Sequence, residues 1–251
     1  MKIVAITQAR YGSSRLPGKI LKTIQGKSLL EIHLKRILQS KRISLLKIAT
    51  TTEKGAEKII EIGSNLGVQS YQGSIDDVLE RFYKTAQSEN PDYVVRLTSD
   101  CPLIDPIEID NVIDACILNK VDYASNTLIP TFPDGIDVEV FKYSVLEKAY
   151  KEATLKSDRE HVTSYIWRNS NMKGGTLFTS FNVTNPIDYS KLRMTVDMDK
   201  DFILLKKLIE KKGINKTWLE YVMFLNQHDE IRVINAEYER NEGYINSLQK
   251  D

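Results

Sequence analysis

The segment Gln8-Ala9-Arg10-Tyr11-Gly12-Ser13-Ser14-Arg15-Leu16-Pro17-Gly18-Lys19 packs three cations, two glycines and two serines into one short stretch, and no acid precedes Glu31. Small residues let backbone N–H groups approach phosphate oxygens closely, and the cations hold the charge. The chemistry this suggests is the binding of a polyanion such as a nucleoside triphosphate. The stretch is neither G-x-x-x-x-G-K-[ST] nor G-x-G-x-x-G. The bland alternative, a solvated loop with scattered cations, fits poorly with the absence of any interspersed acid.

Two carboxylates sit where a metal ion is commonly held. Asp100, in Arg96-Leu97-Thr98-Ser99-Asp100-Cys101-Pro102-Leu103, follows an apolar run, and so does Asp197, in Arg193-Met194-Thr195-Val196-Asp197-Met198-Asp199. Mg²⁺ takes one or two carboxylates and completes its shell with phosphate oxygens and water. A triphosphate between two such carboxylates makes a phosphoryl- or nucleotidyl-transfer site. Capping or turn formation is the competing role for both aspartates, and for Asp199, directly before a helix pattern, capping is the expected role. Cys101 has no flanking His or basic residue and reads as a small packed side chain. His33 reads as structural or exposed.

The elements that must position these groups alternate. Strands are expected at Lys2–Thr7, Leu45–Thr51, Val68–Tyr71 and Tyr93–Leu97. Helices are expected at Ser28–Gln39, Lys54–Leu66, Asp76–Ser88 and Pro106–Asn119. Apolar positions recur at helical spacing in the longer segments, Gly67 follows the second helix, and Pro106 opens the fourth. This β/α alternation predicts an α/β fold, a mainly parallel sheet flanked by helices. Ligands of such sheets bind at the carboxyl ends of the strands, which would bring the first loop, Asp100 and Asp197 to one edge.

The second half breaks the rhythm. A strand is expected at Gly135–Phe141 and helices at Ser144–Ala153, Asp158–Asn169, Asp199–Lys212 and Thr217–Gln227. Thr176–Val183 and Leu192–Val196 read as two strands of a small antiparallel excursion joined around Asn185-Pro186. We divide the chain into a single domain over 1–228, with the excursion at about 134–196, and a charged C-terminal extension over 229–251, in which Ile231–Ile234 is a strand candidate.

Composition bounds the class. The chain has 251 residues, 41% hydrophobic and 27% charged, with net charge +1. That is enough chain for one α/β domain and too little net charge for a global nucleic-acid-attracting field. Two cysteines exclude a disulfide scaffold, and no run is apolar and long enough to span a membrane. The expectation is a cytoplasmic protein that binds neither nucleic acid nor membrane.

Five blocks together resemble a known family. They are Gln8-Ala9-Arg10-x-x-Ser13-Ser14-Arg15-Leu16-Pro17-Gly18-Lys19, Gly73-Ser74-x-Asp76-Asp77-Val78-Leu79-x-Arg81, Arg96-Leu97-Thr98-x-Asp100-Cys101-Pro102-Leu103, Asp134-Gly135-x-Asp137-Val138-Glu139-Val140 and Arg159-Glu160-His161-Val162-Thr163. In this order they resemble the cytidylyltransferases that make CMP-activated acidic sugars, the CMP-Kdo synthetases and acylneuraminate cytidylyltransferases. The nearest resemblance is to the branch of the spore-coat polysaccharide synthesis protein F. Gln8 stands where the Kdo and sialic acid enzymes usually have Pro.

The resemblance implies a Rossmann-like, glycosyltransferase-A-type sheet, CTP and Mg²⁺ as ligands, a small acidic sugar as acceptor, and a homodimer. It implies that Lys19 and Arg15 grip the triphosphate and act in catalysis with Asp100. Ala9, Arg10, Ser13, Ser14, Asp76, Asp77, Arg81, Thr98 and Ser99 complete the nucleotide site. Asp100 and Asp197 would hold the metal, Asp137, Glu139 and His161 would face the acceptor, and Thr176–Val196 would be a dimer arm. By residue type alone, a helix-start histidine such as His161 is as readily a surface residue. Two rival readings remain at this level. One is a glycosyltransferase using a nucleotide sugar, with Asp197-x-Asp199 or Asp137-x-Glu139 as its metal motif. The other is a non-catalytic CTP-binding subunit.

Overall fold

The computed structural model describes residues 1–13, 15–249 and 251. The chain begins with β1 (Ile3–Gln8), the hairpin β2 (Thr23–Ile24) and β3 (Lys27–Ser28), and α1 (Leu29–Ile37). There follow β4 (Leu45–Thr51), α2 (Ala56–Asn65), β5 (Gln69–Gly73), α3 (Val78–Gln87), β6 (Tyr93–Thr98) and α4 (Pro106–Leu118). The second half contains β7 (Tyr123–Ser125), β8 (Glu139–Lys142), α5 (Tyr143–Glu152), α6 (Lys156–His161), α7 (Ser164–Arg168) and β9 (Ser180–Asn182). It ends in α8 (Asp199–Lys212), α9 (Trp218–Gln227), α10 (Asp229–Arg232) and α11 (Glu242–Leu248).

Among the described residues the main sheet has the strand order β5-β4-β1-β6-β8-β7-β9. Strands β5, β4, β1 and β6 run parallel, β8 is antiparallel to β6 and β7, and β9 pairs parallel with β7. The alternation of strand side chains builds a core on each face. Ile3 and Ala5 of β1 join Val95 and Leu97 in one layer, whereas Val4 and Ile6 join Val94 and Phe141 in the other. A third apolar cluster, with Met194, Val196, Leu205 and Trp218, lies beneath α8 and α9. The expected mainly parallel α/β sheet is the fold observed.

Several local expectations need correction. The antiparallel strand is β8, not the pair expected at Thr176–Val183 and Leu192–Val196. Of the first of these only β9 forms, and it runs parallel to its neighbour. Met194 and Val196 do alternate into the core, which mimics a strand pattern. Their N–H groups, however, go to the carbonyls of Asp134 and Asp100, two separate loops, so no ladder develops. The candidate strand at Ile231–Ile234 lies at helix α10, where Ile231 turns inward to the third cluster. The helix expected over Asp158–Asn169 is broken at Val162, a buried residue held at φ 62°. A β-branched residue in that region is strained. The break ends α6 at His161 and starts α7 at Ser164. The β2–β3 hairpin, turning through Gln25 and Gly26 at positive φ, was not foreseen.

Candidate nucleotidyl-transfer site

The first loop leaves the carboxyl end of β1 and is pinned on both sides. Ala9 N–H donates to Ala49 O of β4, and Ser99 N–H donates to Gln8 O. Gly18 closes the loop at φ 65° with its N–H on Tyr11 O, a left-handed conformation that favours glycine. Lys19 then points across the ends of the sheet. Its ammonium lies 3.1 Å from Asp100 Oδ2 and 2.7 Å from Asp197 Oδ1. Arg15 reaches the same Asp197 oxygen at 3.1 Å. The cations of a loop that lacks acids in sequence thus meet Asp100 and Asp197 on folding. Burial works against the charge on Lys19, but Asp100 and Asp197 outweigh it and hold its pKa above the ordinary value. Burial likewise opposes ionisation of Asp100, yet Lys19 and the Thr98 hydroxyl keep its carboxyl well below the usual range.

Neither Asp100 nor Asp199 is a helix cap. Asp105 caps α4 through Ile107 N–H. Asp201, not Asp199, holds the start of α8, accepting from the N–H groups of Asp197 and Met198. Asp199 is exposed and does not line the cleft that Asp197 lines, so the Asp197-x-Asp199 pair does not converge there.

Buried His33 fixes the Asp100 loop against β1. Its Nδ1 is 2.9 Å from Cys101 O, and its Nε2 is 2.9 Å from the Thr7 hydroxyl. A carbonyl only accepts, so Nδ1 carries the proton and Thr7 donates to Nε2. Burial lowers the His33 pKa to about 4, keeping the ring neutral. Of the two roles the sequence left open for His33, the structural one holds. Cys101 and Cys116 are both buried and free.

The cleft above these groups has a volume of about 780 Å³. Ala9, Arg10, Ser13, Arg15, Lys19, Asp76, Asp77, Arg81, Thr98, Ser99, Asp100 and Asp197 all line it, together with His161. Every site residue expected for nucleotide or metal is therefore brought together, except Ser14, which lies outside the described residues. Some already have partners. Asp77 caps α3 through Glu80 N–H at 2.8 Å and takes the Arg159 guanidinium, whose Nε is 2.9 Å away, so it braces α3 against α6. Arg81 is buried and donates to Ser74 O; burial, reinforced by Arg10, lowers its pKa to about 10.

A second cavity of about 320 Å³ opens beside the first and shares Thr98 and His161 with it. Asp137, Glu139 and His161, the residues expected to face the acceptor, all line it. His161 is thus not a mere surface residue; its ring meets Tyr244 edge-on at 5.1 Å. Glu139, however, is spent on the protein. One oxygen accepts from the Tyr123 hydroxyl at 2.7 Å and the Thr163 hydroxyl at 2.6 Å, and the other takes Arg96. Asp137 pairs with Arg240 from the far end of the chain. Gly135, at φ 107°, is what lets this loop lie against Met194 and Thr195: a Cβ there would stand 2.6 Å from their backbone atoms.

Sequence reading did not foresee the roles of four residues. Arg96 joins the two cavities, donating to Gln8 Oε1 at 3.3 Å as well as to Glu139. Arg193 ties Asp134, Asp197 and Asp201 together. Asp134 is pushed up to about 7 by burial and by Asp137, against the pull of Arg240 and Arg193. Arg96, Asp134 and Arg193 all belong to quoted blocks, but only tertiary contacts reveal what they do. Arg240 had no local signal at all.

Among the described residues no cluster of three metal-binding side chains occurs. Mg²⁺ takes as few as one or two carboxylates, with phosphate oxygens and waters completing its shell, and Asp100 and Asp197 aim one oxygen each at a single cation, the Lys19 ammonium. The donor chemistry fits a hard divalent ion. Among the described residues no helix is long and apolar enough to cross a membrane.

The family profile described as cytidylyltransferase matches residues 4–232. The chain belongs to the cytidylyltransferase family, a class of nucleotidyltransferases. It is 38% identical over 240 residues to the uncharacterized protein MJ1063 of Methanocaldococcus jannaschii, covering 94% of this chain and 95% of that one. It is 34% identical to the spore coat polysaccharide biosynthesis protein SpsF of Bacillus subtilis, covering 84% of this chain and 88% of that one. A more distant relative is the 8-amino-3,8-dideoxy-manno-octulosonate cytidylyltransferase of Shewanella woodyi, at 28% identity with 68% of this chain and 63% of that one covered. Among solved structures, a cytidylyltransferase from Leptospira borgpetersenii superposes with a TM-score of 0.86 at 33% identity, covering 92% of this chain and 97% of that one.

Proposed function

We propose that the chain transfers CMP from CTP to a hydroxyl of an acidic 2-keto sugar of the octulosonic or nonulosonic type, releasing pyrophosphate, in the synthesis of a surface polysaccharide or glycan. The observation that carries this reading is the meeting of Lys19, Asp100 and Asp197 where two cavities adjoin, one lined by the basic loop and the other by Asp137 and His161. A triphosphate and an acceptor need that adjacency. The SpsF and octulosonate cytidylyltransferase relatives support the polysaccharide setting and the acceptor class.

In this mechanism the chain positions and neutralises; it forms no covalent intermediate. Arg15 and Lys19 leave their carboxylate partners for the β- and γ-phosphates, with Arg10 beside them. The backbone of the first loop approaches the phosphates through its small residues. The α-phosphorus then faces the acceptor cavity across Thr98 and His161. A bond forms from the acceptor oxygen to the α-phosphorus as the bond to the bridging β-phosphate oxygen breaks. The electron pair leaves with pyrophosphate, and the hydroxyl proton passes to solvent. Asp100 and Asp197 would hold Mg²⁺, which would supply further charge neutralisation at the phosphates.

The homodimer belongs to the same reading. Leu177, Phe181 and Ile187 are exposed apolar side chains in the Thr176–Val196 segment, which suits an arm that meets a second copy. Sedimentation of the intact chain tests this, and a monomer at micromolar concentration refutes it. The test of activity is pyrophosphate release with each of the four nucleoside triphosphates and Mg²⁺ against a panel of acidic 2-keto sugars. Release with CTP and one acceptor is expected. A nucleoside diphosphate released from a nucleotide sugar would replace this reading with that of a glycosyltransferase.

A further inference from the structure

The C-terminal segment is built into the second cavity. Asn235 is buried and donates to Arg193 O at 3.2 Å and Asp201 Oδ1 at 2.8 Å, fixing where the segment leaves the body. Arg240 donates to Phe132 O at 3.1 Å and to Asp137. Asn241, at φ 64°, turns the chain into α11. Tyr244 of α11 then lies edge-on to His161 and, at 5.5 Å, to Trp167. Asp251 closes the strap on the first turn of α6, accepting from Ser157 N–H at 2.8 Å and from its hydroxyl. Asn241 and Tyr244 form part of the cavity wall.

The charges of that wall are informative. Arg96 is matched by Glu139. Lys173 donates to Leu128 O at 3.2 Å and, among the described residues, is in no ion pair. Asp137 faces the cavity with Arg240 as its ion-pair partner. Without Arg240, the cations Arg96 and Lys173 would balance the anions Asp137 and Glu139. With it, one cation is in excess. Three other arginines are occupied elsewhere: Arg159 by Asp77, Arg168 by Asp158, and Arg193 by three aspartates.

We propose that the C-terminal segment around Asn241 and Tyr244 is one wall of the acceptor site and that Arg240, by neutralising Asp137, makes the cavity selective for an anionic acceptor whose carboxylate is received by Lys173. This rests on the reading that the acceptor is an acidic sugar. Arg240 is a positioning residue: it sets the charge of the cavity through Asp137. Asp137 left bare would repel a carboxylate entering the cavity beside it.

The test uses the full chain with CTP, Mg²⁺ and 3-deoxy-manno-octulosonate or its 8-amino analogue as acceptor. Arg240→Gln should raise the acceptor KM roughly tenfold or more, as expected for a like-charge contact. Its affinity for CTP should stay within about twofold, because Arg240 is absent from the CTP cleft. Arg240→Lys should keep the acceptor KM near wild type. Asp137→Asn placed on Arg240→Gln should bring it back, because the unneutralised charge is gone. A loss that Asp137→Asn does not relieve, or an unchanged acceptor KM in Arg240→Gln, overturns the inference while leaving the proposed function standing. If wild type releases no pyrophosphate with any acceptor, the proposed function fails first. The inference is then read by titrating 3-deoxy-manno-octulosonate and its methyl ester into the protein and following the fluorescence of Trp167, which abuts Tyr244. A response to the anion alone that vanishes in Arg240→Gln supports it, and an equal response or none overturns it.

Discussion

Lys19 Nζ lies 2.7 Å from Asp197 Oδ1, across 178 residues of sequence, and the same ammonium is 3.1 Å from Asp100 Oδ2. In the free protein a lysine therefore occupies the point on which both carboxylates converge. A divalent ion at that point competes with Lys19, and a triphosphate gives Lys19 somewhere else to go. Phosphates and Mg²⁺ should consequently bind with positive cooperativity.

Lys19→Met removes the competitor. Mg²⁺ alone should raise the melting temperature of this variant more than that of wild type, while pyrophosphate release falls by about 10²–10³, the usual loss for one electrostatic contact to developing charge. Thermal scans with and without Mg²⁺, together with a pyrophosphate assay, check both. Equal Mg²⁺ shifts in the two proteins would exclude Asp100 and Asp197 as the metal pair.

Asp100→Asn keeps the shape of the loop and deletes one charge. Folding should be intact, since the Asp100 carboxylate caps no helix, and turnover should drop by roughly 10²–10³. Single-turnover rates at saturating CTP report the chemical step. Near-wild-type turnover would remove Asp100 from the mechanism.

His33 should make the protein acid-labile. The imidazole is neutral in the fold, with its pKa lowered to about 4 from 6.5 by burial. Between those values the unfolded chain binds a proton that the folded chain does not, so stability falls as pH drops through that window. The ceiling is about 3 kcal/mol. Asp134, raised to about 7, works in the opposite direction over part of the same range, because its folded form holds the extra proton. The contribution of His33 is therefore read as a difference: urea midpoints of His33→Asn and wild type at pH 7, 5.5 and 4.5. The gap between them should narrow as pH falls, and a constant gap would show that His33 does not titrate in this way.

Gly135→Ala forces a Cβ within 2.6 Å of the Met194–Thr195 backbone at φ 107°. Strain of this kind costs on the order of 1–3 kcal/mol before the clash is counted. The loop must also shift, displacing Asp137 two residues on from its place in the second cavity. A lower melting temperature and a raised acceptor KM are expected together; an unchanged melting temperature would mean that the loop adjusts freely.

Much of the first half is legible from local order. β4 runs over Leu45–Thr51 as expected, and β1, β6 and α1 to α4 depart from expectation by one or two residues at most ends, because each carries its own period and punctuation. The phosphate loop is legible because small residues and unopposed cations lie side by side. Later, local pattern misleads. Met194 and Val196 alternate like a strand, yet their hydrogen bonds go to separate loops. Val162 sits in a helical pattern and breaks it, because burying its side chain and holding Thr163 on Glu139 outweigh the local strain.

The sequence by itself determined the chemistry that can occur: a polyanion loop at the end of the first strand, two carboxylates after apolar runs, and a sheet that gathers them at one edge. Only the tertiary structure decided which charges meet. Asp197 finds Lys19, Asp77 is spent on a helix cap and Arg159, Glu139 is spent on Arg96, and Arg240 crosses 103 residues to Asp137. Partner choice among charges depends on distance and burial, and neither has any local sequence signature.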